Sequence, residues 1–273
     1  MINNPYKLLV IDVDGTLVDK DGNISVEDRE ALARVRQLGI QVSLSTGRVV
    51  QACWRIINQL SLDGCHIFFD GALVSEPSQG KEVYVQPISQ EVVRQAVEFA
   101  HRHDIYLELF SSTHYFVEQE SWASEIRRSF FGLEPTVMDF TDLWRRERFV
   151  KAQLIASSPQ EAAKAEKFYT HFDGRLRFSW AKTPAFPDLD FINVIAPEVS
   201  KGKALEALAS HLGVSLDEVM AVGDGTNDIP LLASAGLAVA MGDAPDQVKA
   251  LADYITLDID HNGLAAAIKK FLL

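Results

Sequence analysis

Short apolar runs and stretches with helical spacing alternate along the first seventy residues of the chain. The first helix has clear limits, because Ser25 can cap its start and Gly39 follows its end. A sequence of strand, helix, strand, helix and strand is typical of βαβ units, which form a parallel sheet with helices on its faces. The pattern predicts strands at 6–11, 40–44 and 66–69, and helices at 25–38 and 49–60.

The last third of the chain repeats this alternation of strands and helices. Apolar runs of three or four residues again lie between segments that have helical spacing. We therefore assign this part to the same parallel sheet as the first seventy residues. The predicted strands are 219–222, 237–240 and 254–256, and the predicted helices are 202–212, 227–235, 245–252 and 263–272.

The middle of the chain has a different pattern, in which strands lie close together in sequence. Two strand-like runs, at 105–110 and 114–118, are separated by a short polar stretch that is typical of a hairpin. Antiparallel strands with helices indicate an α+β layer. We therefore predict an α/β core, made of residues 1–81 and 194–273, with an inserted α+β domain at 82–193. Other predicted elements here are helices at 89–103, 121–131 and 159–171, and strands at 149–156, 174–180 and 189–195.

Composition narrows the class of protein. The chain has 273 residues, 47% of them hydrophobic, with 26 Lys and Arg against 38 Asp and Glu, a net charge of -12. These values exclude wholesale disorder and argue against a general nucleic-acid binder, which needs a basic face. No apolar stretch reaches the roughly 20 residues of a membrane helix. We expect a cytoplasmic protein without a membrane partner, in which Cys53 and Cys65 are buried and reduced.

The first candidate for chemistry is the hexamer Asp12–Leu17, directly after the first predicted strand. A charged residue at the end of an apolar strand is unfavourable unless a partner neutralises it. The neighbouring carboxylates of Asp12 and Asp14 suit a divalent cation, or a nucleophile together with a general acid. An Asp-Gly turn that only ends the strand is the alternative.

Three further segments carry polar residues at equivalent places, after a strand or at the start of a helix. Ser45–Arg48 can bind an anion or cap a helix. Lys201 begins a helix, where a positive charge favours a bound anion, although a surface lysine is the alternative. Gly223–Asp228 can hold a hard cation or form an ordinary loop. Ligands of open parallel sheets bind at the carboxyl ends of the strands, so the four segments point to one site.

Together these segments resemble the four motifs of the haloacid dehalogenase superfamily of phosphohydrolases. The motifs lie at 12–17, 45–48, 200–203 and 223–228, and the insertion follows the second of them. The chain is most similar to the Cof-type sugar-phosphate phosphatases with a type IIB cap. The resemblance implies a Rossmann-like three-layer core with a mostly parallel sheet, and an α+β cap at 82–193.

The resemblance also implies roles for individual residues. Asp12 would be the nucleophile that forms an aspartyl-phosphate, and Asp14 the general acid and then the general base. Thr46 and Lys201 would bind the transferring phosphoryl group. Gly47, Arg48 and Asn227 would contribute to phosphate or substrate binding. A Mg²⁺ cofactor would be held by Asp12, the backbone carbonyl of Asp14, Asp224 and Asp228.

The implied activity is hydrolysis of a small phosphate ester. Two alternatives stay open. One alternative is a phosphomutase of the same fold, and the other is a phosphate-ester binding protein without catalysis. The sequence leaves open both the particular substrate and the choice between monomer and homodimer. Within the insertion, we interpret Arg127–Arg128 and Arg145–Arg148 as solvated helix faces, with a second anionic contact as the alternative.

The sequence departs from the family pattern at Asp70, at Pro230 and Leu231, and at Asp243, and the first of these bears on the site. The segment that follows the third predicted strand has Asp70 before Gly71, where the family usually has Asn. An aspartate in this position can form the turn, because Asp tolerates a left-handed backbone. If its carboxylate instead faces the phosphate entrance, it adds negative charge there. We expect the turn role, with an effect on leaving-group preference as the alternative.

Overall fold

The computed structural model describes residues 4–183 and 186–273, which form two compact units. The first unit contains the residues up to Arg48, Cys53–Tyr84 and Ser200–Leu273, and the second contains Val49–Ala52 and Val85–Val199. The assignment of 82–193 as a cap stays a prediction.

The strands in the described part of the chain are β1 (Leu8–Asp12), β2 (Gln41–Ser45), β3 (His66–Phe68), β4 (Leu73–Glu76), β5 (Lys81–Val85), β6 (Glu108–Phe110), β7 (Tyr115–Val117), β8 (Pro135–Val137), β9 (Lys151–Ala156), β10 (Arg177–Thr183), β11 (Phe186–Ile195), β12 (Val219–Gly223), β13 (Leu237–Ala240) and β14 (Tyr254–Ile255). The α-helices are α1 (Val26–Gln37), α2 (Trp54–Leu60), α3 (Gln90–His103), α4 (Trp122–Phe131), α5 (Leu143–Arg146), α6 (Pro159–Phe172), α7 (Lys201–Leu212), α8 (Ile229–Ser234), α9 (Asp246–Lys249) and α10 (Gly263–Phe271).

The first unit is built on a sheet with the strand order β14-β13-β12-β1-β2-β3-β4-β5. The pairs from β14 through to β3 are parallel, whereas β4 runs antiparallel to β3. The central strand β1 therefore lies between β2, which is near in sequence, and β12, which follows the whole insertion. This order places the carboxyl ends of β2, β1 and β12 side by side.

Helices cover both faces of this sheet. On one face, Leu8 and Val10 of β1 pack in a cluster with Leu205 and Leu208 of α7. Successive side chains of a strand point to opposite faces, so the equally buried Leu9 faces the other side. There α1 and α10 pack together, and Asp28 accepts a hydrogen bond from the backbone of α10. Burial on both faces explains why these strands are continuous apolar runs.

The second unit has a six-stranded sheet with the order β10-β11-β9-β6-β7-β8. Its strand pairs are antiparallel except for β7 with β8. Helices α3 and α6 pack together through Phe99, Phe168 and Phe172, whose rings meet edge to face or tilted. The predicted hairpin is confirmed as β6 and β7, and the mixed α/β architecture is confirmed as well.

A buried ion pair in the second unit contradicts one expectation. The side chain of Arg127 is 7% exposed and that of Glu108 is 0% exposed, with 2.7 Å between Nη2 and Oε2. The interpretation of Arg127 as part of a solvated face was therefore wrong. Its neighbour Arg128 is more exposed and pairs with glutamates on the surface. Consecutive residues of a helix lie about 100° apart around its axis, so one of two adjacent arginines can be buried while the other is exposed.

Most differences between predicted and observed elements are short segments. The sequence patterns did not predict β4, β5, β8 or α5, each of three to five residues. The two cysteines are buried and free, as expected. Among the described residues, the structure contains no helix with the length and apolar character that crossing a bilayer requires.

A histidine lies inside the first unit without exposure to solvent. His66 on β3 is 0% exposed, and its Nδ1 accepts a hydrogen bond from the backbone N–H of Leu44 at 3.2 Å. Burial lowers the pKa of His66 to about 4. In the unfolded chain a histidine titrates near 6.5. Between these two values the unfolded state binds more protons than the folded state does.

We expect the protein to lose stability as the pH falls from about 6.5 towards 4. Because His66 stays neutral in the folded state, its contribution to this loss between pH 7 and pH 5 is about 2 kcal/mol. Urea unfolding at both pH values measures the effect. His66→Asn keeps an acceptor for Leu44 and cannot titrate. Between pH 7 and pH 5 this variant should therefore lose about 2 kcal/mol less stability than the unmodified protein. Equal losses in the two proteins would contradict the prediction.

Candidate active site

Three neighbouring strands of the first unit bring the sequence motifs together. Asp12 at the end of β1 is the register partner of Ser45 at the end of β2. On the other side of β1, strand β12 ends at Gly223, directly before Asp224. Parallel strands end at the same edge of a sheet, so the first, second and fourth motifs meet there. Helix α7 begins at Lys201 and completes the group.

Lys201 lies between two carboxylates and has no exposure to solvent. Its Nζ is 2.5 Å from Oδ1 of Asp12 and 2.6 Å from Oδ1 of Asp228. Burial alone would lower the pKa of Lys201, but the charges of Asp12 and Asp228 outweigh burial and raise it. The ammonium group is therefore charged, and it joins the third motif to the first and the fourth.

The carboxylates outnumber this single ammonium group. Asp12, Asp224 and Asp228 each offer an oxygen within 4.8 Å of the others. Burial and the charge of Asp228 raise the pKa of Asp12, and the same two causes raise the pKa of Asp224 to about 6. Carboxylate oxygens are the ligands that hard divalent cations prefer. The donor set therefore fits a divalent cation, which would relieve the repulsion among these groups.

Backbone contacts fix the acidic loop after β12. Oδ2 of Asp228 accepts hydrogen bonds from the backbone N–H groups of Asp224 and Gly225, at 3.1 and 2.9 Å. The hydroxyl of Thr16 donates to Oδ1 of Asp224 at 2.9 Å. Gly15 has φ +90°, and a Cβ there would lie 2.5 Å from an Asp224 oxygen. Glycine in the hexamer thus allows the two motifs to approach.

Asp14 stands apart from the acidic cluster. Its side chain is 60% exposed and forms a bidentate ion pair with Arg48. The distances are 2.9 Å from Nε to Oδ2 and 2.5 Å from Nη2 to Oδ1. The resemblance implied that Arg48 contributes to phosphate binding, and the structure brings its guanidinium to Asp14. The side chain of Asp14 is not among the clustered oxygens, which leaves its backbone carbonyl as the predicted ligand atom.

The second motif forms a tight loop after β2. Thr46 is buried, and its Oγ1 accepts a hydrogen bond from the backbone N–H of Arg48 at 3.1 Å. This bond leaves the hydroxyl proton of Thr46 available to a ligand. Among the described residues, none accepts a hydrogen bond from the N–H of Gly47. The loop thus offers two donors next to Lys201 and Asp12.

Besides the ion pair of Asp14 with Arg48, two polar contacts in the site were not predicted from the sequence. Nδ2 of Asn227 donates to Oδ1 of Asp70 at 3.0 Å, which joins the fourth motif to the segment after β3. Asp70 also forms the expected turn, with φ 55°. The hydrogen bond from Thr16 to Asp224 is the second contact. The unusual Asp before Gly71 was the available signal for the first, and the hydroxyl in the hexamer was the signal for the second.

The arrangement is suited to chemistry on a phosphoryl group. The carboxylate of Asp12 lies beside a buried ammonium group and beside carboxylate oxygens that could hold a cation. Donors from Thr46 and Gly47 lie on the neighbouring loop. Phosphoryl transfer requires mainly positioning and neutralisation of the equatorial oxygens, which such groups provide.

Comparison with known proteins identifies relatives along almost the whole chain. The family model described as haloacid dehalogenase-like hydrolase matches residues 9–268. The phosphatase YwpJ of Bacillus subtilis is 29% identical over 287 residues, which cover 97% of this chain and 100% of the relative. The 5-amino-6-(5-phospho-D-ribitylamino)uracil phosphatase YcsE of the same organism is 29% identical, with 98% of this chain and 96% of the relative covered.

Solved structures have the same fold. A haloacid dehalogenase subclass IIB sugar phosphatase, BT4131, superposes with a TM-score of 0.75 at 24% identity, and 97% of this chain and 98% of that one are covered. This likeness concerns the fold, since the sequence identity is low. From the match to residues 9–268 and the phosphatase relatives, the chain belongs to the haloacid dehalogenase-like hydrolases and, among them, to the Cof-type phosphatases, which hydrolyse phosphoric monoesters.

Proposed function

We propose that the protein is a Mg²⁺-dependent phosphatase that hydrolyses a small phosphorylated metabolite, a sugar phosphate, through an aspartyl-phosphate on Asp12. The observation that carries the proposal is the buried contact of Lys201 with Asp12 and Asp228, next to the carboxylate of Asp224. A nucleophile, a fixed positive charge and cation ligands lie together in it.

In the first step, Asp12 attacks phosphorus and the bond from phosphorus to the leaving oxygen breaks. Oδ1 of Asp12 binds Lys201, so we assign the attack on phosphorus to Oδ2. The leaving alkoxide takes a proton from the carboxyl group of Asp14. Thr46, Gly47 and Lys201 hold the equatorial oxygens of the phosphoryl group through their O–H and N–H groups.

In the second step, water attacks phosphorus of the aspartyl-phosphate, and Asp14 takes the proton from that water. Inorganic phosphate leaves and the carboxylate of Asp12 is restored. Arg48 holds Asp14 as an ion pair in the protein without substrate.

A cation completes the charge balance of this reaction. Asp12, the backbone carbonyl of Asp14, Asp224 and Asp228 are the residues that we assign to Mg²⁺. When bound, Mg²⁺ supplies positive charge that allows a carboxylate to approach a negatively charged phosphoryl group. Asn227, which lies beside these ligands, is assigned to the phosphate surroundings.

The second unit is the proposed cap, which would select the leaving group. The resemblance assigns residues 82–193 to it, and the compact unit of the structure contains Val85–Val199. Relatives named as phosphatases of a phosphorylated ribitylaminouracil support a small metabolite as substrate. The resemblance of the sequence motifs to the Cof-type sugar-phosphate phosphatases is the reason for proposing a sugar phosphate.

Asp12→Asn should abolish phosphate release from p-nitrophenyl phosphate and from a panel of sugar phosphates in the presence of Mg²⁺. An amide does not form the acyl phosphate, so we expect a loss of about 10⁴-fold or more. Asp246→Asn, which removes an exposed carboxylate of the same unit, should retain full activity. Turnover by Asp12→Asn at the rate of the unmodified protein would contradict the assignment of the nucleophile.

Asp14→Asn should lower the rate much more for a sugar phosphate than for p-nitrophenyl phosphate. An alkoxide needs a proton as it leaves, whereas nitrophenolate leaves without one, so only the first substrate depends on the general acid. The ratio of the two kcat/KM values measures this dependence. An equal loss on both substrates would show that Asp14 acts elsewhere in the reaction.

Removal of divalent cations with a chelator should abolish activity, and Mg²⁺ should restore it. Asp224→Asn should raise the half-saturating Mg²⁺ concentration by roughly tenfold or more, because a ligand is lost. Since the pKa of Asp224 is raised to about 6, protons should compete with the cation below that pH. Titration of activity with Mg²⁺ at several pH values measures both effects. Activity unchanged by the chelator would exclude the proposed cofactor.

A further inference from the structure

The segment Phe69–Gly71 is held by backbone contacts to the second motif. The N–H of Phe69 donates to the carbonyl of Arg48 at 3.1 Å, and the N–H of Asp70 donates to that of Thr46 at 3.0 Å. Phe69 and Asp70 have φ values of 53° and 55°, in the left-handed region that residues other than glycine rarely occupy. Two such residues in succession persist only where their surroundings fix them.

The third motif supplies part of those surroundings. Gly71 has φ +101°, and a Cβ at this position would lie 2.3 Å from the carbonyl oxygen of Ser200. The chain therefore passes directly against the start of α7, one residue before Lys201. With contacts on both sides, this turn has little freedom, and the direction of the Asp70 side chain is set by the backbone.

That side chain is directed at the proposed phosphate-binding residues. A Cβ on Gly47 would lie 2.9 Å from each Asp70 oxygen, and Oδ1 accepts the hydrogen bond from Asn227 at 3.0 Å. The charge of Asp70 also raises the pKa of Lys201, after the larger effects of Asp12 and Asp228. Within the described chain, no lysine, arginine or histidine lies within 4.0 Å of this carboxylate.

The hydrogen-bond donors of the site and the acceptor Asp70 together determine which ligand fits. The N–H of Gly47, the hydroxyl of Thr46 and the third proton of Lys201 can each donate to an oxyanion. The carboxylate oxygens of Asp70 accept hydrogen bonds, so they repel a bare oxygen and bind a hydroxyl. A phosphoryl group that carries one proton presents a P–OH together with oxygens that accept.

We propose that Asp70 is a specificity-determining residue, which accepts a hydrogen bond from the protonated oxygen of the phosphoryl group and disfavours oxyanions without a proton. This proposal rests on the proposed function, because it takes Thr46, Gly47 and Lys201 as the phosphate-binding donors. In this proposal Asp70 selects the phosphoryl group. This role differs from forming the turn and from recognising the leaving group.

Sulfate and phosphate distinguish these roles, because the two ions have the same shape. Near pH 6 inorganic phosphate carries at least one proton that it can donate, whereas sulfate is fully ionised. A site built around a hydrogen bond rejects a ligand that cannot form it. The protein should therefore bind phosphate roughly 100-fold more tightly than sulfate, measured by calorimetry with saturating Mg²⁺ at about pH 6.

Asp70→Asn is the informative variant. Asparagine tolerates the left-handed backbone, keeps an oxygen for Asn227 and replaces one acceptor with an N–H donor. The preference for phosphate over sulfate should fall to roughly fivefold or less in this variant, mainly through tighter sulfate binding. Asp104→Asn is the matched control, since Asp104 also has a left-handed backbone and is exposed in the second unit. It should retain the preference of the unmodified protein.

Each other outcome overturns the proposal. If the unmodified protein binds sulfate as tightly as phosphate, the proposal about Asp70 is excluded, whatever the variant does. The proposal can therefore be tested even if the variant fails to fold. An unchanged preference in a folded Asp70→Asn protein also excludes it. If p-nitrophenyl phosphate is still hydrolysed in either case, the proposed function stands and only the role of Asp70 falls. Absence of both phosphate binding and turnover overturns the two together.

Discussion

One buried ammonium group shared by two carboxylates organises the active site. Lys201 cannot be in this position without Asp12 and Asp228, because an isolated charge is very unfavourable away from water. The two carboxylates, with Asp224 beside them, carry more negative charge than one lysine can balance. The protein thus has a surplus of negative charge at the place where its substrate brings still more. That surplus accounts for the fit of the site to a divalent cation and for its network of hydrogen-bond donors.

The parallel sheet produces this concentration of charge because neighbouring strands end together. Asp12 and Ser45 are register partners, and β12 ends on the other side of β1. Each strand is buried on both faces, so the residues that follow it start from a rigid point. Glycines at the crossing points let the loops approach, as Gly15 does against Asp224 and Gly71 against Ser200. The strands thus fix the positions of the site residues, and the glycines allow the loops to approach one another closely.

Sequence reasoning predicted the local features of this site and the meeting of its four motifs, but it missed individual contacts between distant segments. The strand before Asp12 and the cap at Ser25 depend on neighbouring residues, so periodicity and residue type predicted them. The burial of Arg127 depends on Glu108 in another element, and no local pattern reveals it. The contact of Asp70 with Asn227 spans 157 positions along the chain. Such pairings are decided by the folded arrangement, and the family resemblance did not include them.

The position of β1 has a consequence for the synthesis of the protein. Its pairing with β2 needs only the first 45 residues, but its pairing with β12 needs residues from Val219 onward. A ribosome that adds about 5–20 residues per second takes on the order of ten seconds to reach that point. Throughout this time the apolar central strand exposes an open edge, which can pair with other chains. The nascent protein is therefore most prone to aggregation before its own last third has been translated, and chaperones that cover strand edges would be of most use then.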